Sequence, residues 1–559
     1  MSLFVLTLSL LACDTPTKDA PEPPKPGKRD VPTVTLKVEY GSEKKDWLEA
    51  EVSAFEETSP MLANGKKIVV DAHGQGSGEG MLDILSGKAQ PDVYSPASSA
   101  YLSLLDDAWM AQAGHTGKLC GTAEPLLLSP VVIAMWKPMA EALGWPTKRL
   151  GWADILAVAA SPKGWSGMGH PEWGMFKLAH THPGLSNSGL LAVLAEAYAG
   201  AGKTRGLTAE DLQSPKVAAF LEQAEGSIVH YGKSTSFLSE KMIGRGPGYV
   251  SAAVLYENVV VQSYTTRPSD GGAAMPIVAI YPTEGTFWSD HPWSVLNAPW
   301  VTDDEKQAAT RFLDFLKAKP AQQAAMAAGF RPADPSIPMA SPLDAAHGVD
   351  PKEPQTLLDV PDGPTLTGVV AAWEAHKKPS DVVIVFDKSG SMNGVPLAKA
   401  KEGAKEFLKN LGDRDRVALE FFDNNVGTPS PWQALGGTGR ADLGQLVDGA
   451  IADGGTSLYD ATQAAVHTAE ADATANPRAI HAVVVMTDGR DESSKSTLAE
   501  TVAALSGHAE GDVKVFTIAY GDAADPTVLA QLAEAGRGMS AKGNSGDIST
   551  VFRDMAAFF

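Results

Sequence analysis

Cysteine is almost absent from this chain, which holds two in 559 residues, Cys13 and Cys120. A disulfide framework is therefore excluded, and the fold must rest on hydrophobic cores and hydrogen bonds. Long hydrophobic runs are missing too: none approaches the roughly 18 to 20 apolar residues that a membrane-spanning helix takes. Basic residues are in short supply. Lys and Arg number 46 against 67 Asp and Glu, a formal net charge of −21. That balance repels phosphate backbones, which excludes nucleic acid as a partner, and it disfavours docking on anionic lipid. What is present is 44% apolar residues over a length with room for two or more domains with full cores.

The amino terminus opens with an apolar stretch from Leu3 to Ala12. About ten residues are too few to span a bilayer but suit the core of a secretory signal. Leu10-Leu11-Ala12-Cys13 resembles a bacterial lipobox, in which the cysteine is acylated. The resemblance implies a signal peptide over 1–12, lipidation at Cys13 and a place in the cell envelope, outside the cytoplasm, held to the membrane by lipid. Asp14 resembles the signal that keeps some Gram-negative lipoproteins on the inner membrane. One departure is that no Lys or Arg precedes Lys18. Residues 13–32, rich in Pro, Lys and Asp, read as a semi-extended tether. On this reading Cys120 has no partner and is expected to be a buried small residue.

Residues 33–378 read as one globular unit. Strand-like "TVTLKVEYG" (33–41), "KKIVVDAHG" (66–74) and "PDVYSPAS" (91–98) each run through a polar turn into a helix-like segment. Helix N-termini at such turns favour anions and polar oxygens. Together with "GSGEG", "LLSPVVIAMW" (127–136), "THPGLSNSGLLAVLAEAY" (181–198), "HYGKSTSFL" (230–238) and "AAVLYENVVV" (252–261), these segments resemble type 2 periplasmic solute-binding proteins. The resemblance implies two α/β lobes that close like a hinge on a small polar solute, with 127–136 as the first crossover. Cleft candidates are Ser42, Ser77, Ser95, Ser98, Ser186, Ser188, Ser234, Thr235, Tyr256 and Glu257, the last hinting at an amine. For any one of them a capping or turn role competes.

Residues 379–559 alternate strand and helix signals. "DVVIVF" (381–386), "RVALEFF" (416–422), "AIHAVVVMT" (479–487) and "VKVFTIAYG" (513–521) are apolar runs suited to buried parallel strands. Helical stretches are expected over 397–411 and near 458–470, 496–506, 526–536 and 546–557. That order predicts a doubly wound, mostly parallel sheet, whose ligands bind beyond the carboxyl ends of the strands. There stand "FDKSGSM" with Asp387, Ser389 and Ser391, and "VVVMTDG" with Asp488; "DGGTS" adds Thr456. Two carboxylates and three hydroxyls are hard oxygen ligands of the kind small divalent cations take. The three strings resemble the metal-ion-dependent adhesion site of von Willebrand factor type A domains. The resemblance implies Mg2+ (or Mn2+) on these five residues, completed by an acidic side chain of a protein partner. Nothing among them supplies a nucleophile or a general base, so no catalysis is expected.

Other motifs carry less. "AYAGAGKT" (197–204) matches a relaxed phosphate loop but follows a helix-like run rather than a strand. "HGQGSGEG" places Glu79 where a dinucleotide fingerprint needs glycine. His170, His180 and His182 have no cysteine beside them and read as surface or cleft residues rather than zinc ligands. Residues 338–364 look irregular, and "TLTGVVAAWEAHKK" (365–378) returns to a helical pattern, joined to the metal domain by "PSD".

The fold expected is thus α/β, a two-lobed type 2 periplasmic-binding-protein-like domain followed by a doubly wound Rossmann-like von Willebrand factor A domain. The function expected is an extracytoplasmic, membrane-anchored binding protein with an ABC permease among its candidate partners. The alternatives are an adhesion scaffold with a degenerate cleft and a chelatase-like complex subunit.

Overall fold

The structure, a computed structural model, describes residues 31–265, 275–507, 513–521, 523–544 and 546–559. Cys13, the segment 1–12 and nearly all of the tether fall outside the described residues.

The first sheet has the order Lys67–Gln75, Thr33–Gly41, Val93–Ser95, Pro292–Leu296, Cys120–Pro125. Its first three strands are parallel, and Pro292–Leu296 returns antiparallel. Val34, Leu36 and Val38 alternate inward along Thr33–Gly41 onto Phe55, Trp293 and Phe312. The chain leaves this lobe between Pro125 and Leu127. Leu127–Trp136 then serves as the hub of a second sheet, pairing with Ala252–Tyr256, Ile277–Ile280, Trp288–Ser289 and Arg331–Pro332. A return crossing runs from Ser289 to Pro292. Two strand-borne crossings between two sheets make a hinge.

Helix Asn187–Ala201 carries apolar residues on every side and is buried along nearly its whole length, Glu196 included. It ends at Gly202 with φ of 65°, so "AYAGAGKT" is a helix stop followed by a turn. Asp362 accepts from Thr365 N at 3.0 Å and starts helix Gly363–His376. Leu366, Val369 and Trp373 of that helix are buried where it packs on Asn187–Ala201 and Pro215–Glu225. The connecting helix is thus packed into the two-lobed unit.

The third sheet has the order Gln433–Ala434, Arg416–Phe422, Ser380–Asp387, Ile480–Thr487, Lys514–Tyr520, Arg537–Gly543. All pairs but the first are parallel. Three elements went unread in the sequence: Gln433–Ala434, helix Gly439–Asp448 and edge strand Arg537–Gly543. Each is short or polar, with few buried apolar residues to set a period.

The two units meet along a sheet edge. Ile228–Gly232 is the last strand of the second sheet. An open strand edge offers unpaired backbone groups. Here Lys378 Nζ bonds Ile228 O at 3.0 Å and Lys514 Nζ bonds Val229 O at 2.8 Å. Tyr231 N donates to Phe558 O at 3.5 Å. Arg245 Nη2 reaches Gly538 O at 2.7 Å, and Phe237 packs on Phe558 at 5.2 Å between ring centres.

Candidate functional site

Two sites come together from the turns of these sheets. The first lies at the carboxyl ends of strands Ser380–Asp387 and Ile480–Thr487, paired in parallel. Asp387 is fully buried; its Oδ1 accepts from Ser389 N at 2.7 Å and its Oδ2 from Thr487 Oγ1 at 2.5 Å. Ser389 Oγ stands 3.0 Å from Ser391 Oγ, and Ser391 Oγ donates to Asp488 Oδ1 at 2.6 Å. The loop holding Thr456 is drawn in by Gly390 N on Gly454 O at 2.8 Å. Gly489 leaves room there, since a Cβ on it would lie 3.0 Å from Thr456 Oγ1 and 3.7 Å from Ser391 Oγ. Of the five side chains only Ser391 is exposed.

The electrostatics are those of carboxylates kept from water. Burial pushes the Asp387 carboxyl up to about 6, against bonds from Thr487 and Ser389 that favour its charged form. Asp488 is raised for the same reason, opposed by Ser391. An oxygen-only donor set with two such carboxylates could hold a hard divalent cation, which would meet the charge that burial penalises.

The second site is the cleft between the lobes. It holds a cavity of about 560 Å³, bordered by Glu39, Ser42, Glu79, Lys233, Ser234 and Asp554. Elsewhere the lobes touch. Glu79 N donates to Leu185 O at 3.0 Å, and a Cβ on Gly78 would lie 2.3 Å from Gly184 O, so only glycine permits this approach. Ser42 and Ser234 face the cavity; Ser234 also caps its helix through Phe237 N at 3.4 Å.

Ser95 is fully buried away from the cavity and its Oγ has no partner among the described residues; the remaining candidates are engaged within the protein. Ser77 Oγ accepts from Ala97 N, and Ser98 Oγ from Ala100 N. Ser188 Oγ bonds Thr181 and Thr235 at 2.8 and 2.9 Å, with Ser186 Oγ at 3.5 Å. Tyr256 OH accepts from Asn187 Nδ2 at 2.7 Å. Glu257 does not await an amine. Arg331 Nε and Nη2 each bond its carboxylate at 2.6 Å, and Tyr281 OH donates to it as well.

Of the three histidines read as surface or cleft residues, His180 departs outright, His182 is half-buried and His170 stands at the surface. His180 is fully buried and bonds Glu225 at 3.0 Å; His182 packs edge-on against Trp373 at 4.7 Å. His170 lies apart from them, stacked on Trp173 at 3.9 Å. Cys120 is free and buried, and burial pushes its thiol well up. Nothing in the string "SEKK", which reads as an ordinary helix start, marks the buried charged cluster that stands next to Ser42. Lys44 Nζ, wholly buried, bonds Glu43 at 3.1 Å, Ser95 O at 3.0 Å and Pro96 O at 3.2 Å. Burial opposes charge on Glu43, yet Lys44 and His291 hold it down at about 2.

Comparison with known proteins agrees with this architecture. The profile of the bacterial extracellular solute-binding proteins matches residues 36–331, just over half of the chain, and that of the von Willebrand factor type A domain matches 381–553. The chain belongs to the bacterial extracellular solute-binding proteins and carries a von Willebrand factor type A (VWA) domain after the two lobes. An uncharacterized protein of Mycobacterium tuberculosis is 28% identical over 262 residues, 45% of this chain and 35% of that protein. The match thus spans about a third of that curated relative. Among solved structures, the periplasmic binding protein of Actinobacillus pleuropneumoniae with fructose-6-phosphate bound is 16% identical, with a TM-score of 0.43 over 61% of this chain and 98% of that one. A von Willebrand factor type A structure from Catenulispora acidiphila is 24% identical, with a TM-score of 0.28 over 32% and 42%. Among the described residues no helix is long and apolar enough to cross a membrane.

Proposed function

We propose that this chain is an extracytoplasmic binding protein with two recognition modules and no catalytic role. One takes a small polar solute between the lobes; the other takes a protein partner through Mg2+ held by Asp387, Ser389, Ser391, Thr456 and Asp488. The bound ion would leave a position for a carboxylate oxygen of the partner. An acylated Cys13 would hold the protein at the membrane, and an ABC permease is a further candidate partner.

The observation that carries the reading is the polar cavity at the lobe junction, walled by Ser42 and Ser234 from opposite lobes. A second reading, an adhesion scaffold, is favoured by the direct contact of the lobes at Glu79 and Leu185 and by the internal engagement of most turn hydroxyls. Thermal unfolding against oxyanions, amines, sugars and amino acids separates the two. Ligand at about 100 times its Kd stabilises by roughly 2.7 kcal/mol, which reads as several degrees. A solute hit establishes a receptor. Stabilisation by Mg2+ alone, with no solute hit, leaves the scaffold.

A further inference from the structure

The cleft cavity has a wall that neither lobe supplies. Helix Ile548–Ala556 of the VWA domain lays Thr550 and Asp554 against it. The helix is fixed on its far side, where Phe552 packs on Phe407 at 6.1 Å between ring centres and Gly403 makes room for it. Between the two lining residues, Arg553 points into the first lobe. Its Nη1 lies 3.4 Å from Asp83 Oδ1 and its Nη2 3.5 Å from Glu79 Oε1.

These contacts are loose. Arg553 Nη2 is buried and makes no hydrogen bond among the described residues. Asp83 is supplied by Lys88 at 2.9 Å, and Asp554 by Lys233 at 3.3 Å. The Glu79 carboxylate has no partner closer than Arg553 among the described residues, and burial followed by the nearby Asp554 raises it. Ser42 lines the same cavity at 7% exposure, and its Oγ has no partner among the described residues. The unmet demand is for a cationic donor beside Glu79 and a polar group against Ser42.

The cavity lining is net acidic, with Glu39, Glu79, Asp83 and Asp554 against Lys88 and Lys233, so an anion is the less well served charge. The start of helix Ser77–Leu85, where backbone N–H groups would hold an oxyanion, carries Glu79, and Glu79 N is already taken by Leu185 O.

We propose that the cleft is a composite site, completed by the VWA helix, for a small solute bearing an ammonium or guanidinium group. The solute sets its cation against Glu79 and Asp554 and displaces Arg553, which holds that place in its absence. This rests on the reading of the lobes as a solute receptor and adds to it a wall, a charge class and an internal competitor. Because the competitor belongs to the VWA helix, solute binding and the seating of that helix are linked, and linkage is reciprocal.

The test is calorimetric titration of the full chain with arginine, putrescine, glucose and sulfate, on wild type, Asp554→Asn and Arg553→Gln. An amine should bind wild type; Asp554→Asn should weaken it about tenfold, the scale of one charge-assisted contact, and Arg553→Gln should tighten it. Circular dichroism confirms that both variants fold. Binding of glucose or sulfate alone would overturn the charge class and leave the receptor reading intact. Amine binding unchanged in both variants would overturn the composite wall. No binding of any probe would overturn this proposal together with the receptor reading.

Discussion

Lys377 Nζ lies 3.1 Å from Asp415 Oδ2, with both side chains almost wholly buried where the connecting helix enters the VWA domain. The ammonium also bonds Phe559 O at 2.9 Å, and Asp415 accepts from Ser380 N and Gly412 N at 2.7 Å each. One pair thus ties together the connecting helix, the first VWA strand and the end of the terminal segment. Removing one member of a buried pair strands the other charge, at a cost of ~3–5 kcal/mol. Lys377→Met should therefore lower unfolding stability by that order in urea titration. A loss below about 1 kcal/mol, the scale of an exposed pair, would show that the junction does not depend on it.

A half-buried histidine at the same junction sets a pH dependence. Burial, then Lys377 and His180, hold the His182 imidazole down at about 3. In an unfolded chain it titrates near 6.5. Between those values the unfolded state takes up a proton that the native state refuses, so stability falls as pH drops from about 6.5 toward 3. His182 Nδ1 accepts from Gly184 N at 3.1 Å, a role an asparagine oxygen can fill. His182→Asn should lose less stability than wild type between pH 7 and pH 5 in parallel denaturant titrations. Equal losses would refute the assignment.

The oxygen-rich loops were legible because Asp387, Ser389, Ser391, Thr456 and Asp488 sit in short strings whose place at strand ends follows from the apolar runs before them. Two α/β lobes were legible on similar grounds, from strands feeding polar turns. Which serines face the cavity was not. Ser42 and Ser77 stand in like turns, yet the first faces the cavity and the second is spent on Ala97 N, a difference set by a neighbour 20 residues away. Glu257 misled because Arg331, 74 residues on, takes its carboxylate. The docking of helix Ile548–Ala556 on the cleft was hidden for a similar reason. Its apolar face announces a helix, but Arg553 and Asp554 look like ordinary solvent-facing charges until the lobes are placed beside them.

The oxygen cluster predicts a metal response. Wild type should gain thermal stability on adding Mg2+ and lose it on chelation, by roughly 2.7 kcal/mol at about 100 times the Kd. Asp488→Asn preserves shape and an acceptor for Ser391 while removing one negative charge. Its melting shift with Mg2+ should fall to less than half of the wild-type value at the same concentration. A full shift in the variant would move the ion away from these five residues.

Glu420 gives the VWA sheet a second, opposite pH signature. It lies in strand Arg416–Phe422, fully buried, and neither carboxylate oxygen has a partner among the described residues. Burial alone pushes its carboxyl up to about 8. The unfolded chain releases that proton near 4.3, whereas the native state keeps it. Stability from this group is therefore full below about 4.3 and is lost as pH rises through 8. Glu420→Leu removes both the titration and the unpaired polar atoms, each such buried group costing ~1–3 kcal/mol. The variant should be more stable than wild type by that order at pH 8, with the gap narrowing toward pH 5. A leucine variant no more stable at pH 8 would mean that the carboxylate finds a partner, and the strand would then be carrying a charge rather than suppressing one.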